Sequence, residues 1–396
     1  MELKEQIQNL AQAYFEEIRA IRRHLHQNPE LSFQEFNTSN YIASILEKEG
    51  IEYERNWVKT GIVATIMGQK PSGKITAIRA DIDALPIQET NEVPYKSCND
   101  GVMHACGHDV HTASALGAAL ILNDLRDEWA GTIKFVFQPA EEKLPGGASL
   151  MIKEGLFERH KMQSIFGQHV QHDLPEGKVG FRPGKYMASC DEIYLTVKGK
   201  GGHGALPHNL VDPVMITAQI LVALQQVVSR QAKPLTPTVL SFGRIEANGA
   251  TNIIPDKVEL QGTFRTYDEE WRDQAHLKIT EIATGIAQSF GGNCEVDIRK
   301  GYPFVFNDED LTEKAISWAK DYMGAENVVD LEMRPTGEDF SFYGHHIPAT
   351  FYRLGVANFE KNITSSIHTS TFDIDEKALV TGAGLMAFLA LKKLDS

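Results

Sequence analysis

GTIKFVFQPAEE (Gly131–Glu142) decides how this chain is read. Its β-branched and aromatic residues make a short strand, its proline ends the ladder, and two glutamates arrive at the strand's tip. Upstream, TASALGAALILNDL (Thr112–Leu125) has helical length and composition, and before it KITAIRADI (Lys74–Ile82) is another strand; downstream, QSIFGQHV (Gln163–Val170) is a third. Strands alternating with helices predict an α/β domain built on a mixed, mostly parallel sheet. Such sheets place ligands at the carboxyl ends of their strands, and the chemistry-rich residues fall there. The first fifty residues read as helices, punctuated by NPELS (Asn28–Ser32) and stopped at Gly50.

The pattern changes near Met187. A strand EIYLTVKG (Glu192–Gly199) precedes a helix opened by Asp212 as N-cap and Pro213 in the first turn. Two alternating strands, TVLSFGRIEA (Thr238–Ala247) and KVELQGTFRTY (Lys257–Tyr267), lead into a helix that Gly291 and Gly292 stop, and then into the strand CEVDIR (Cys294–Arg299). The order β-α-β-β-α-β is a ferredoxin-like unit complete in itself. The expected organisation is therefore a discontinuous larger domain, residues 1–184 and 298–396, interrupted by a smaller α+β domain, residues 185–297.

A chain of 396 residues with 42% hydrophobic content buries a sizeable core in more than one domain. A formal net charge of -14 with no Lys/Arg stripe argues against nucleic acid as a partner and leaves small substrates open. The amphipathic N-terminus has no apolar core of an export signal, and ALVTGAGLMAFLALKKL (Ala378–Leu394) is too short and glycine-broken to span a bilayer. Cys98, Cys106, Cys190 and Cys294 show no disulfide spacing. A cytoplasmic enzyme or binding protein that uses no membrane is expected.

Five clusters of ligand-type side chains belong to the larger domain: Asp81 and Asp83, Cys106 and His108, Glu141 and Glu142, His169, and His368. Sulfur, imidazole and carboxylate together suit a transition ion such as Zn²⁺ or Mn²⁺ better than Ca²⁺ or Mg²⁺. If one of the paired glutamates holds metal, its neighbour is free to act as general base on water. The residues alone leave three readings of Cys106: metal ligand first, small buried hydrophobe second, thiol nucleophile third. In the smaller domain, Gly199, Gly201 and Gly204 formally spell a dinucleotide fingerprint, but Pro207 follows where the helix should begin. That loop displays His203 and His208, while Asn252 and Arg265 lie at a turn and on a strand; Arg265 could grip a carboxylate.

RADIDALP (79–86), MHACGHDVHTA (103–113), FQPAEE (137–142), GKGGHGALPH (199–208), NIIPD (252–256), GTFRTYD (262–268), TGEDFSFY (336–343) and IHTSTFDID (367–375) together resemble the M20-type metallopeptidases and amidohydrolases. The match is to the N-acyl amino acid amidohydrolase branch, with hippurate, auxin-conjugate and N-acetyldiaminopimelate hydrolases. The resemblance implies a zinc-peptidase-like catalytic domain carrying an inserted ferredoxin-like lid that dimerises. It implies two divalent transition-metal ions (Mn, Zn, Co or Ni) held by Cys106, His108, Glu142, His169 and His368, with Glu141 as base. Asp81 and Asp83 support the site from behind, His203 steadies the oxyanion from a neighbouring subunit, and Asn252 and Arg265 hold the substrate's α-carboxylate. Glu338 and Asp339 match a loop near the metals. Where many relatives carry a histidine ligand this chain reads RAD, so the implied metal set is completed by Cys106. The expected activity is hydrolysis of an N-acyl amino acid to a carboxylate and a free amino acid. A peptidase of the same family, a thiol amidase using Cys106 and a non-catalytic binding protein are the alternatives.

Overall fold

The structure, a computed structural model, describes residues 2–396. The chain forms two compact units: Met1–Tyr186 with Phe306–Glu332 and Asp339–Ser396, and Met187–Val305 with Met333–Glu338.

In the larger unit, four strands, Ala130–Gln138, Lys70–Asp81, Ile165–Pro175 and Ala349–Ala357, lie side by side and run parallel. All nine residues of Ala349–Ala357 are buried, as a strand covered on both faces requires. Antiparallel neighbours flank this centre. Gly61–Met67 and then Glu52–Trp57 extend it on one side, and Val179–Phe181 with Val328–Asp330 on the other, so the eight-stranded sheet is mixed. The helices Phe15–Gln27, His108–Asp124 and Ala378–Asp395 pack closely. At Gly117 a Cβ would lie 2.5 Å from Ile18 Cδ1 and 2.9 Å from the Ala383 Cβ, so only glycine admits both neighbouring helices. Residues 108–122 are buried all round, which explains why the stretch after Ser114 is apolar on every face rather than amphipathic. The N-terminal segment is three helices, Leu3–Ala13, Phe15–Gln27 and Phe36–Lys48, with Tyr14 between the first two donating its hydroxyl to Asp124 (2.7 Å). Among the described residues no helix is long and apolar enough to cross a membrane.

The smaller unit has a four-stranded antiparallel sheet ordered Thr238–Glu246, Lys257–Thr266, Asp191–Lys198, Asn293–Lys300. Two helices, Pro213–Gln226 and Glu269–Ser289, pack on it through Ile216, Ile220, Leu224, Ala275 and Ile279. Asp212 accepts from the Val214 and Met215 N–H groups (2.8 and 3.3 Å), and Asp268 from Trp271 (2.9 Å), so both helices carry side-chain caps.

One buried charge makes this unit acid-sensitive. Burial works against ionised Asp191, but Arg272 (Nε, 2.9 Å), His276 (2.8 Å) and the Gly301 N–H (2.9 Å) hold its carboxyl down at about 2. A folded value below the unfolded one gives stability that is complete above the ordinary carboxylate pKa and drains as pH falls towards the folded value, here about 2 kcal/mol. We expect hydrogen-exchange protection in Asp191–Lys198, taken relative to the intrinsic rate at each pH, to fall between about pH 4 and 2, and Asp191→Asn to flatten that dependence. Identical acid profiles for variant and wild type would contradict the assignment.

Candidate metal centre

The larger unit gathers its ligand-type side chains where the sheet's strands end. Asp81 closes the strand Lys70–Asp81, Asp83 lies two residues on, Glu141 and Glu142 follow the strand Ala130–Gln138, and His169 sits on Ile165–Pro175. Cys106 and His108 flank Gly107, which caps the helix His108–Asp124 with φ +80°. A Cβ on Gly107 would lie 2.6 Å from Val170 Cγ2, so this turn presses against the residue after His169 only because position 107 has no side chain. His368, also at positive φ, is tied through its N–H to the Ala105 carbonyl (2.8 Å).

These segments bring six side chains into one cluster. Cys106 Sγ lies 3.4 Å from His169 Nε2 and 3.2 Å from His368 Nε2, and His368 Nε2 lies 3.4 Å from Glu142 Oε1. His108 Nε2 stands 3.9 Å from Glu142 Oε1 and 4.0 Å from Glu141 Oε2. Three overlapping donor sets result, Cys106–His108–His169, Cys106–Glu142–His368 and His108–Glu141–Glu142, each with its ligand atoms within 4.8 Å of one another.

The surrounding hydrogen bonds aim the lone pairs inward. His169 donates from Nδ1 to the Val170 carbonyl (2.8 Å), which leaves Nε2 as the lone-pair nitrogen facing Cys106. His108 Nδ1 pairs with Asp83 Oδ1 (3.2 Å), while its Nε2 is buried without a hydrogen-bond partner, as is Glu142 Oε1. His111 differs. The Val170 N–H donates to its Nε2 (2.9 Å), so Nδ1 carries the proton that Asp81 Oδ1 accepts (2.6 Å), and neither nitrogen is left for a ligand. The unpartnered His108 Nε2 and Glu142 Oε1, together with the Cys106 sulfur and the lone pair of His169 Nε2, make a mixed nitrogen, oxygen and sulfur donor set that fits a divalent transition ion.

The electrostatics point the same way. Burial, then Glu142, Glu141 and Asp81, push the Cys106 thiol well up, the opposite of what a thiolate nucleophile needs. Burial opposes a charged His108, yet Asp81, Asp83 and Glu142 raise it to about 10. The cluster draws positive charge into itself, and a bound cation supplies it while freeing the His108 nitrogen and the Cys106 sulfur as ligands.

Several supporting residues were given no role by the sequence. Arg79, fully buried, donates to Asp81 Oδ2 (2.6 Å), Asp339 Oδ1 (2.7 Å) and Gln138 (2.9 Å), and so holds the back of the site together. Asp339 also accepts from Gln138 and from the Ala148 N–H (3.0 Å), which gives that half of TGED a structural part in this unit. Glu338 ends the short segment assigned to the smaller unit. Arg22 and His26 both reach Asp109 Oδ2 (2.8 Å each), one residue past His108, and Arg22 also pairs with Asp373 (3.0 Å) beyond His368. Arg79 had a readable signal, since alternate strand residues share a face with Asp81; Arg22 had none.

His203, Asn252 and Arg265, nominated from the sequence, lie in the smaller unit. His203 is exposed on a two-residue strand paired with Ile253–Ile254, and its Nδ1 accepts from the Ala205 N–H (3.1 Å), which leaves Nε2–H as a donor. The Asn252 carbonyl accepts from Gly204 (2.8 Å), so Asn252 and the His203 loop are neighbours. Arg265 is half-buried opposite Val239.

A discontinuous α/β unit with such a donor cluster at its strand ends belongs to a class of metallohydrolases. The chain matches the model of peptidase family M20/M25/M40 over residues 77–392, and it is a member of that family and a hydrolase. It is 42% identical over 377 residues to the N-acetylcysteine deacetylase of Bacillus subtilis, spanning 95% of this chain and 96% of that protein. It is 44% identical over 305 residues to an N-acyl-L-amino acid amidohydrolase of Geobacillus stearothermophilus, 77% and 81% of the two chains. Among solved structures it resembles the Bacillus subtilis YXEP protein, a dinuclear metal binding peptidase of the M20 family, with TM-score 0.83, 38% identity and coverage of 97% and 99%.

Proposed function

We propose that the protein hydrolyses the amide bond of N-acyl amino acids, of N-acetyl or N-benzoyl type, to a carboxylate and a free amino acid. The observation that carries this reading is the donor cluster of Cys106, His108, Glu142, His169 and His368 with a second glutamate, Glu141, beside it. Those five residues would hold two divalent ions, Mn, Zn, Co or Ni, which when bound supply Lewis acidity that lowers the pKa of water and polarises the scissile carbonyl.

The chain's own residues do the rest. Glu141 takes the proton of the attacking water and returns it to the departing amine, so water is consumed and no proton is left over. Asp83 keeps both glutamates in place by accepting from the Glu141 and Glu142 N–H groups (3.1 Å each) while orienting His108, and Asp81 does the same for His111. In this reading His203 donates its Nε2–H to the oxyanion developing in the neighbouring subunit, and Asn252 and Arg265 take the substrate's α-carboxylate. The smaller unit acts as lid and homodimer contact; exposed Met215 and Val222 on one helix and Ile245 on the edge strand support that role. None of the four cysteines is paired, which fits a reducing, cytoplasmic setting.

Metal removal tests the reading. Chelation should abolish amine release from a panel of N-acetyl, N-benzoyl and indole-acetyl amino acids, and Mn²⁺, Zn²⁺, Co²⁺ or Ni²⁺ should restore it. Unchanged hydrolysis after chelation would favour the Cys106 amidase, and turnover of dipeptides alone would favour a peptidase.

A further inference from the structure

Ala140, Glu141 and Glu142 present three successive backbone N–H groups, and two buried carboxylates take all three. Asp83 accepts from Glu141 and Glu142, and Glu35 Oε1 accepts from Ala140 (2.9 Å). Glu35 is fully buried and about a hundred residues distant in sequence. Its Oε1 also accepts from the Phe33 N–H (2.9 Å), and its Oε2 from the Thr60 hydroxyl (2.8 Å). Ser32, in the same loop, donates to Asp83 Oδ2 (2.6 Å). One short segment, residues 32–35, thus reaches both carboxylates that fix the glutamate pair.

Ala140 needs such help. It sits at φ +52° without being glycine, a conformation that persists only where the surroundings impose it. That turn sets the direction in which the next residue, Glu141, leaves the strand. We propose that Glu35 is a positioning residue for the Glu141 base: its hydrogen bond to Ala140 holds the left-handed turn that aims Glu141 at the reacting water. The inference rests on the reading of Glu141 as the base. A carboxylate serving only the packing of the loop would have no reason to couple to Glu141.

The test uses the full-length, metal-loaded protein, with kcat, KM and bound metal measured separately. Glu35→Ala should lower kcat on the order of 10- to 100-fold, the cost of a misaimed group, with KM and metal per chain unchanged. Glu35→Gln keeps an acceptor for Ala140 and should recover most of the loss. Ala140→Gly, which adopts positive φ freely, should rescue Glu35→Ala in the double variant. In a Glu141→Gln background, Glu35→Ala should cost nothing further, because the group it aims is gone. Equal losses with and without Glu141 would overturn the proposal, as would a Glu35→Ala protein with normal kcat. If Glu35→Ala does not fold, the Gln and Ala140→Gly comparisons decide: no gain in kcat for Ala140→Gly/Glu35→Gln over Glu35→Gln, when Glu35→Gln is impaired, counts against it. Should Glu141→Gln itself retain full activity, the base assignment fails rather than the Glu35 contact.

Discussion

Glu141→Gln is expected to reduce kcat on the order of 10²- to 10⁴-fold, the usual contribution of a positioned general base and acid. The substitution is isosteric and leaves the backbone N–H that Asp83 accepts, so the turn survives. It also leaves Cys106, His108, Glu142, His169 and His368, and bound metal should not fall. Loss of turnover with metal retained separates a base from a ligand. A variant that releases amine at the wild-type rate would remove Glu141 from the mechanism.

Arg79→Met should strongly destabilise the larger unit. Arg79, Asp81 and Asp339 are all fully buried, and the guanidinium pairs with both carboxylates. Surface ion pairs are worth little, but removing one partner of a buried pair leaves an uncompensated charge and costs about 3–5 kcal/mol. Here a single deletion strands two carboxylates. Burial opposes the charged form of Asp81, and Arg79, His108 and His111 together keep its carboxyl well below the ordinary value. The sign of the pH dependence follows. The wild-type pairing contributes stability above the ordinary carboxylate pKa, so the gap between wild type and Arg79→Met should be widest near neutrality and narrow as acid protonates the stranded groups. Melting curves recorded from pH 7 to 4 measure it, and a variant as stable as wild type at pH 7 would show that the pairing carries no such weight.

Much of this was legible in one sequence because hydrophobic runs and turn residues act locally. GTIKFVFQ and KITAIRAD are strands because β-branched and aromatic residues dominate short runs, and Asp212-Pro213 marks a helix start through hydrogen bonds to residues two and three positions on. The strand Glu52–Trp57 was harder to see. It is a mostly exposed edge with little apolar alternation, so burial writes no pattern into it. The ligand residues could be nominated by type, and so could Asp81 and Asp83 behind them, but the pairings that tie distant segments together could not. Arg79 meets Asp339 across 260 positions, Arg22 meets Asp373 across 351, and Glu35 meets Ala140 across 105. Such pairings are properties of the folded chain, and an isolated Arg or Glu in a helix or loop looks like any solvated charge.

Cys106, His108, Glu142, His169 and His368 are the proposed ligands of divalent metal. The most direct test is the metal content of the purified chain after chelation and reconstitution with Mn²⁺ or Zn²⁺, measured by elemental analysis for wild type, Cys106→Ala and His108→Ala. The prediction is two ions per wild-type chain, as in the dinuclear relative, with stoichiometry or affinity reduced in both variants. A wild-type chain that retains no metal, or variants that bind as much and as tightly as wild type, would contradict it.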